Sequence, residues 1–167
     1  MIEEKLNSLG VKLSNTQSPV GSFIPVVITG NLVFVSGQIA IEPGSNPLQV
    51  NYKGKEGRDV SLENGRAAAR VCIISGLSEL KQALGSLDKV KKFVKVFGFV
   101  NCDPSFTGHA KVILVEVFGE KGKHARASVG VNSLAFDSSV EIEFIVEVWL
   151  GVVEIGIAIR GKEEHVG

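Results

Sequence analysis

Cysteine, histidine and the large polar aromatics are scarce in this chain. Two cysteines, Cys72 and Cys102, stand 30 residues apart with no CxxC pair, and three histidines (His109, His124, His165) show no ligand spacing. A zinc site is therefore not expected, nor a disulfide framework, and the usage suits a reducing compartment. Cys72 falls in an apolar helical stripe and reads as a small core residue, whereas Cys102, just after a strand, is a candidate for exposure. An excess of one charge is also missing, because Lys+Arg and Asp+Glu both total 18. Nucleic-acid binders carry a concentrated basic surplus, so this balance argues against such a partner. No run of about 18 apolar residues is present, so no membrane span is expected. The opening Met1-Ile2-Glu3-Glu4 resembles neither a signal nor a transit peptide. Together these absences point to a cytoplasmic protein.

What is present is a 44% hydrophobic chain of 167 residues, enough for one compact domain with a substantial core. Two C-terminal runs alternate with period two, as half-buried strands do. In His124–Val131, Arg126 and Ser128 share one face, and in Val140–Val148, Glu141, Glu143 and Glu147 share one. The connection over 132–139 suits a wide hairpin or a short crossover. If both strands lie in one sheet, Arg126 and Glu141 or Glu143 can meet on a polar strip. That strip is either a grip for a small acid or a cross-strand ion pair on a solvated face.

Earlier in the chain, Ile2, Leu6 and Leu9 suit a short helix ended by Gly10. Phe23–Ile28 and Leu32–Ile39 flank Gly30-Asn31 and read as a β-hairpin. Gly37 inside the second strand marks either a bulge or a place where a ligand approaches the backbone. Glu42–Arg58 is expected to be a mobile surface loop. Ser61 caps a helix whose apolar stripe runs from Ala67 through Leu84 to a stop at Gly85. Val90–Val100 is apolar on both faces, with Val94, Val96 and Val100 against Phe93, Phe97 and Phe99, so a partner subunit is expected to cover one of them. Asp103-Pro104 predicts a second helix ending at Gly119. Residues 149–167 form an extension, either an edge strand over Val153–Ile159 or a poorly ordered tail. The order β-β-α-β-α-β-β predicts an α+β domain over 1–148, a sheet of about five or six strands with two main helices on one face.

Gly30-Asn31, Val35–Ile39, Ala125-Arg126, Ser128–Val131 and Val140–Glu143 together resemble the YjgF/RidA family, the reactive intermediate deaminases of chorismate-mutase-like fold. The stretches Leu114–Glu120 and Gly122–Val131 are similar to a subgroup labelled endoribonuclease L-PSP/chorismate-mutase-like. The resemblance implies a homotrimer with sites in the clefts between subunits, acting on imino or enamino acids and releasing 2-oxo acids and ammonia. It implies no metal and no organic cofactor. By the same resemblance, Arg126 grips the substrate carboxylate, Glu141 orients water or shuttles a proton, and the backbone at Ser128 positions that water. Ser36 and Gly37 would line the pocket. Phe23 stands where the family has a pocket tyrosine, and Ala110 near a pocket asparagine. Two other readings stay open: a non-catalytic binder of small carboxylates or ketoacids, and the endoribonuclease of the subgroup label, which the neutral charge disfavours.

Overall fold

The computed structural model describes residues 1–13, 21–42, 49–108 and 118–149. The expected tail strand (149–167) and most of the second helix (109–117, including Ala110) lie outside them, apart from Trp149. Helix α1 (Ile2–Ser8) buries Leu6 and is followed by Gly10 at φ +68°. Strands β1 (Val26–Thr29) and β2 (Leu32–Ile39) form the expected hairpin, with Gly30 at φ +57° in its turn. Phe23–Pro25 stay outside β1. Pro25 has no N–H to give a ladder, and its carbonyl accepts from the Ser36 N–H at 2.9 Å.

Helix α2 (Leu62–Leu84) has the predicted ends. The Ser61 side chain accepts from the Asn64 N–H at 3.2 Å, and Gly85 closes the helix at φ +80°. Its buried face, including Ala68, Ala69, Cys72, Ile73, Leu77 and Leu80, packs on the sheet. Strands β3 (Val90–Asn101), β4 (Ala125–Val131) and β5 (Val140–Val148) complete a five-stranded mixed sheet in the order β1-β2-β5-β3-β4. This is the α+β architecture expected.

Several expectations change. Of the two connections considered for 132–139, the crossover holds and the hairpin does not: β3 lies between β4 and β5, parallel to β4 and antiparallel to β5. Phe93 does not share a face with Phe97 and Phe99. A register irregularity between Phe93 and Lys95 turns it into the core, where it meets Phe118 and Phe144 edge-on or tilted, at 4.8 and 5.4 Å between ring centres. Residues 104–108 are a turn rather than the first turns of a helix. The Asp103 carboxylate accepts from the Ser105 N–H and hydroxyl at 2.9 and 2.6 Å, and the Phe106 ring lies over Gly57 and Gly108. Cys102 is buried, its sulfur filling the space a Cβ at Gly130 would take.

The loop expected over 42–58 is, in its described part, firmly seated. Glu56 N–H donates to the Asn101 carbonyl at 2.8 Å, and its own carbonyl accepts from Asp103 N–H at 3.0 Å. Lys55 sends its ammonium to Asn101 Oδ1 and to the Cys102 and Asn132 carbonyls. The Glu56 side chain is fully buried against Gly65 in the first turns of α2, and neither carboxylate oxygen has a hydrogen-bond partner. Burial pushes its pKa up to about 7. Its place in a run of Lys and Gly gave no sign of this. No described helix is long and apolar enough to cross a membrane.

Candidate functional site

Strand pairing decides which side chains share a face. Residues opposite one another in a ladder point the same way, and each step along a strand reverses the direction. Arg126 lies opposite Val96, which lies opposite Phe144, and all three therefore point to the helix-covered face. Ser128 follows on that face, opposite Gly98. A shallow pocket opens there, with Arg126 and Ser128 beside an apolar floor that includes Val96, Val140, Ile142 and Ala69 of α2. Among the described residues, Arg126 makes no ion pair.

Glu141 lies opposite Phe99, three residues from Val96, and so projects from the other, open face. With β3 between their strands as well, Arg126 and Glu141 of one subunit do not meet. Neither does Arg126 meet Glu143, which lies opposite Phe97 on the open face. The polar strip expected from spacing is divided between the two sides of the sheet.

The open-face group is built by a bulge. Between the pairs Val35–Phe144 and Gln38–Ile142, β2 places two residues, Ser36 and Gly37, against Glu143 alone. Gly37 is there because Glu141 needs its space: a Cβ would lie 1.9 Å from Glu141 Oε1. Ser36 is tied to the segment before β1, its hydroxyl donating to the Ile24 carbonyl at 2.8 Å, which carries the half-exposed Phe23 alongside. Burial first, and the neighbouring Glu143 second, raise the pKa of the Glu141 carboxyl. Stacked rings of Phe97 and Phe99, 6.1 Å apart, lie beside the carboxylates, and the Lys95 ammonium sits over Phe97 at 4.2 Å. Thus Ser36, Gly37 and Glu141 belong to one group and Arg126 and Ser128 to another, while the half-exposed Phe23 precedes the Ile24 carbonyl that Ser36 meets. The aromatic pair was visible as apolar alternation, but its stacking beside Glu141 and Glu143 required the register. No cluster of three His, Cys, Asp or Glu able to hold a metal occurs among the described residues.

The role of Gly37 gives a direct expectation. Gly37→Ala pushes aside the flexible end of Glu141 rather than backbone, so stability changes little while any activity that uses Glu141 falls by about 10²-fold or more. Parallel thermal melts and turnover measurements check this, and full activity in Gly37→Ala would show that the placement of Glu141 is unimportant.

A five-stranded mixed sheet backed by a helix on one face is an α+β fold of chorismate-mutase-like type. The family model described as "YjgF/chorismate_mutase-like, putative endoribonuclease" matches residues 3–148, and the chain belongs to that family. It is 37% identical over 153 residues to protein TCP17 of Trypanosoma cruzi, covering 87% of this chain and 93% of that one. Among solved structures it is similar to Atu1372 of Agrobacterium tumefaciens, at 38% identity and a TM-score of 0.78, covering 89% and 92% of the two chains. The YjgF gene product of E. coli is also similar, at 25% identity and a TM-score of 0.52, covering 81% of this chain and 96% of that chain.

Proposed function

We propose that the protein hydrolyses 2-imino and enamino acids to 2-oxo acids and ammonia, at a site completed between subunits of a homotrimer. The observation that carries this is the separation of two unpaired groups: Arg126 with Ser128 on one face, at edge strand β4, and Glu141 on the other. A second copy can bring the two together. The exposed apolar residues Val27, Phe34 and Val129 give such an assembly something to bury.

The chemistry asks for positioning more than for a strong nucleophile. An iminium carbon is electrophilic already. Arg126 holds the substrate carboxylate with a planar, bidentate contact that fixes its orientation. Water adds its oxygen to the C=N carbon as the π electrons move to nitrogen and one water proton leaves, giving a neutral carbinolamine. The nitrogen then takes a proton, the C–N bond breaks, and the hydroxyl loses its proton as the carbonyl forms. From the neighbouring subunit, Glu141 holds the water and exchanges protons with the nitrogen and the hydroxyl, with the Ser128 backbone as a second anchor, while the proton lost by the attacking water passes to solvent. Positioning of this kind contributes about 7–11 kcal/mol in the best-aligned cases. Phe23 supplies an apolar wall without a hydroxyl.

The test is ammonia release from imino acids generated freshly in the assay. We expect release well above the uncatalysed rate, with no added metal or cofactor. Release at the uncatalysed rate alongside retained ketoacid binding would make the protein a binder. Cleavage of RNA with neither property would favour the endoribonuclease reading.

A further inference from the structure

Glu141 does not stand alone on the open face. Glu143 follows it on the same side of β5, about 6.6 Å further along by strand geometry. The groups around the pair are few. From β3, Phe99 and Phe97 lie opposite Glu141 and Glu143, and Lys95 places its ammonium over the Phe97 ring. From β2, Ile39 lies opposite Glu141, and the Ser36–Gly37 bulge lies against Glu143. Behind the sheet is the buried Cys72 thiol of α2, which donates to the Val140 carbonyl. Further along β5, Glu147 is occupied by Lys91, Lys92 and the Asn31 amide. Among the described residues, no cation reaches either Glu141 or Glu143 within 4 Å.

We propose that Glu143 is a positioning residue that sets the protonation state of Glu141, keeping it an acid able to give its proton to the departing nitrogen. The acid role rests on the deaminase reading above; the coupling between the two carboxyls does not. A carboxylate two residues along the same face disfavours the charged form of Glu141. Glu141 is enclosed, its oxygen filling the space over Gly37, so its proton is held more tightly than in an open carboxyl. The raised pKa of Glu141, caused by burial and then by Glu143, agrees. In the reaction, the Glu141 proton passes to the carbinolamine nitrogen as the C–N bond breaks and ammonia leaves. The hydroxyl proton then returns to the Glu141 carboxylate as the C=O bond forms, so the acid is regenerated with no other reactant.

The experiment compares wild type, Glu143→Gln and Glu143→Asp in the assembled protein. Carbon-13 titration of the Glu141 carboxyl is run beside the pH profile of ammonia release. In Glu143→Gln we expect the Glu141 midpoint to move to lower pH, and the falling alkaline limb of the rate to move with it. Glu143→Asp, which keeps the charge, should restore most of both. An unmoved Glu141 midpoint in Glu143→Gln overturns the proposal. A moved midpoint with an unmoved rate limb upholds the coupling and overturns the acid role. A moved midpoint in a protein that releases no ammonia upholds the coupling and overturns the deaminase reading instead.

Discussion

Glu56→Gln is expected to make the protein more stable than the wild type at pH 8, and the difference should vanish below pH 4.5. In the folded chain the Glu56 carboxyl is buried with no partner for either oxygen, and its pKa is pushed up to about 7 from an ordinary 4.5. Below 4.5 both folded and unfolded chains hold the proton, and Glu56 makes stability insensitive to pH. Between 4.5 and 7 the unfolded chain releases its proton while the folded chain keeps it, so stability falls as pH rises. Above 7 both forms are ionised and the loss is complete, on the order of 3 kcal/mol. Lys55, the nearest cation in sequence, is already held by Asn101, Cys102 and Asn132, and Arg58 is paired with Asp59, so neither rescues the charge. The glutamine retains the shape and cannot ionise. Glu56→Met also removes the unpartnered polar atoms and should be at least as stable at pH 8. Urea melts of the three proteins at pH 5 and pH 8 check this. Equal pH dependence in wild type and Glu56→Gln would mean that the carboxyl reaches water in the folded protein.

Much of this architecture was legible because it is local. The hairpin could be read from two apolar runs about Gly30-Asn31, and α2 from Ser61, its apolar stripe and Gly85. The alternation in β4 and β5 assigned faces correctly within each strand. Relations between strands were not legible. Whether Arg126 and Glu141 share a side depends on β3 entering between them and on the parity of its register, neither of which leaves a mark in β4 or β5. Phe93 changed face through an irregularity of one residue near Lys95, which no apolar pattern announces. Gly37 reads as a bulge or a place where a ligand approaches the backbone; it lies in a bulge, and the group that approaches it is this chain's own Glu141. Asp103-Pro104 is a good helix start by local rules. Here the Asp103 side chain caps a turn instead, while Phe106 lies over Gly57 and Gly108. The burial of Glu56 is a tertiary fact of the same kind.

Arg126→Ala and Glu141→Gln should each abolish imine hydrolysis, yet trimers assembled from an equal mixture of the two should regain about a quarter of wild-type activity. Each single loss is large. Removing the cation that holds a desolvated carboxylate costs about 2–5 kcal/mol, or roughly 30-fold to several-thousand-fold in rate. Recovery on mixing follows from the opposite directions of the two side chains. A Glu141→Gln subunit still offers Arg126 from its helix-side pocket, and an Arg126→Ala subunit still offers Glu141 from its open face. In a ring closed by head-to-tail contacts, each interface combines one side of one subunit with the other side of the next. With random assembly, half of the subunits can supply the arginine and half of their neighbours the glutamate, which gives about one complete site in four. Two residues serving the same site from the same subunit could not recover in this way, since every mixed site would lack one of them. Equal co-expression of the two variants, purified through one tag that both carry so that all assemblies are retained, provides the random mixture, and ammonia release provides the readout. Mixed trimers as inactive as their parents would overturn the shared site and leave Arg126 and Glu141 in separate roles on the two faces of the sheet.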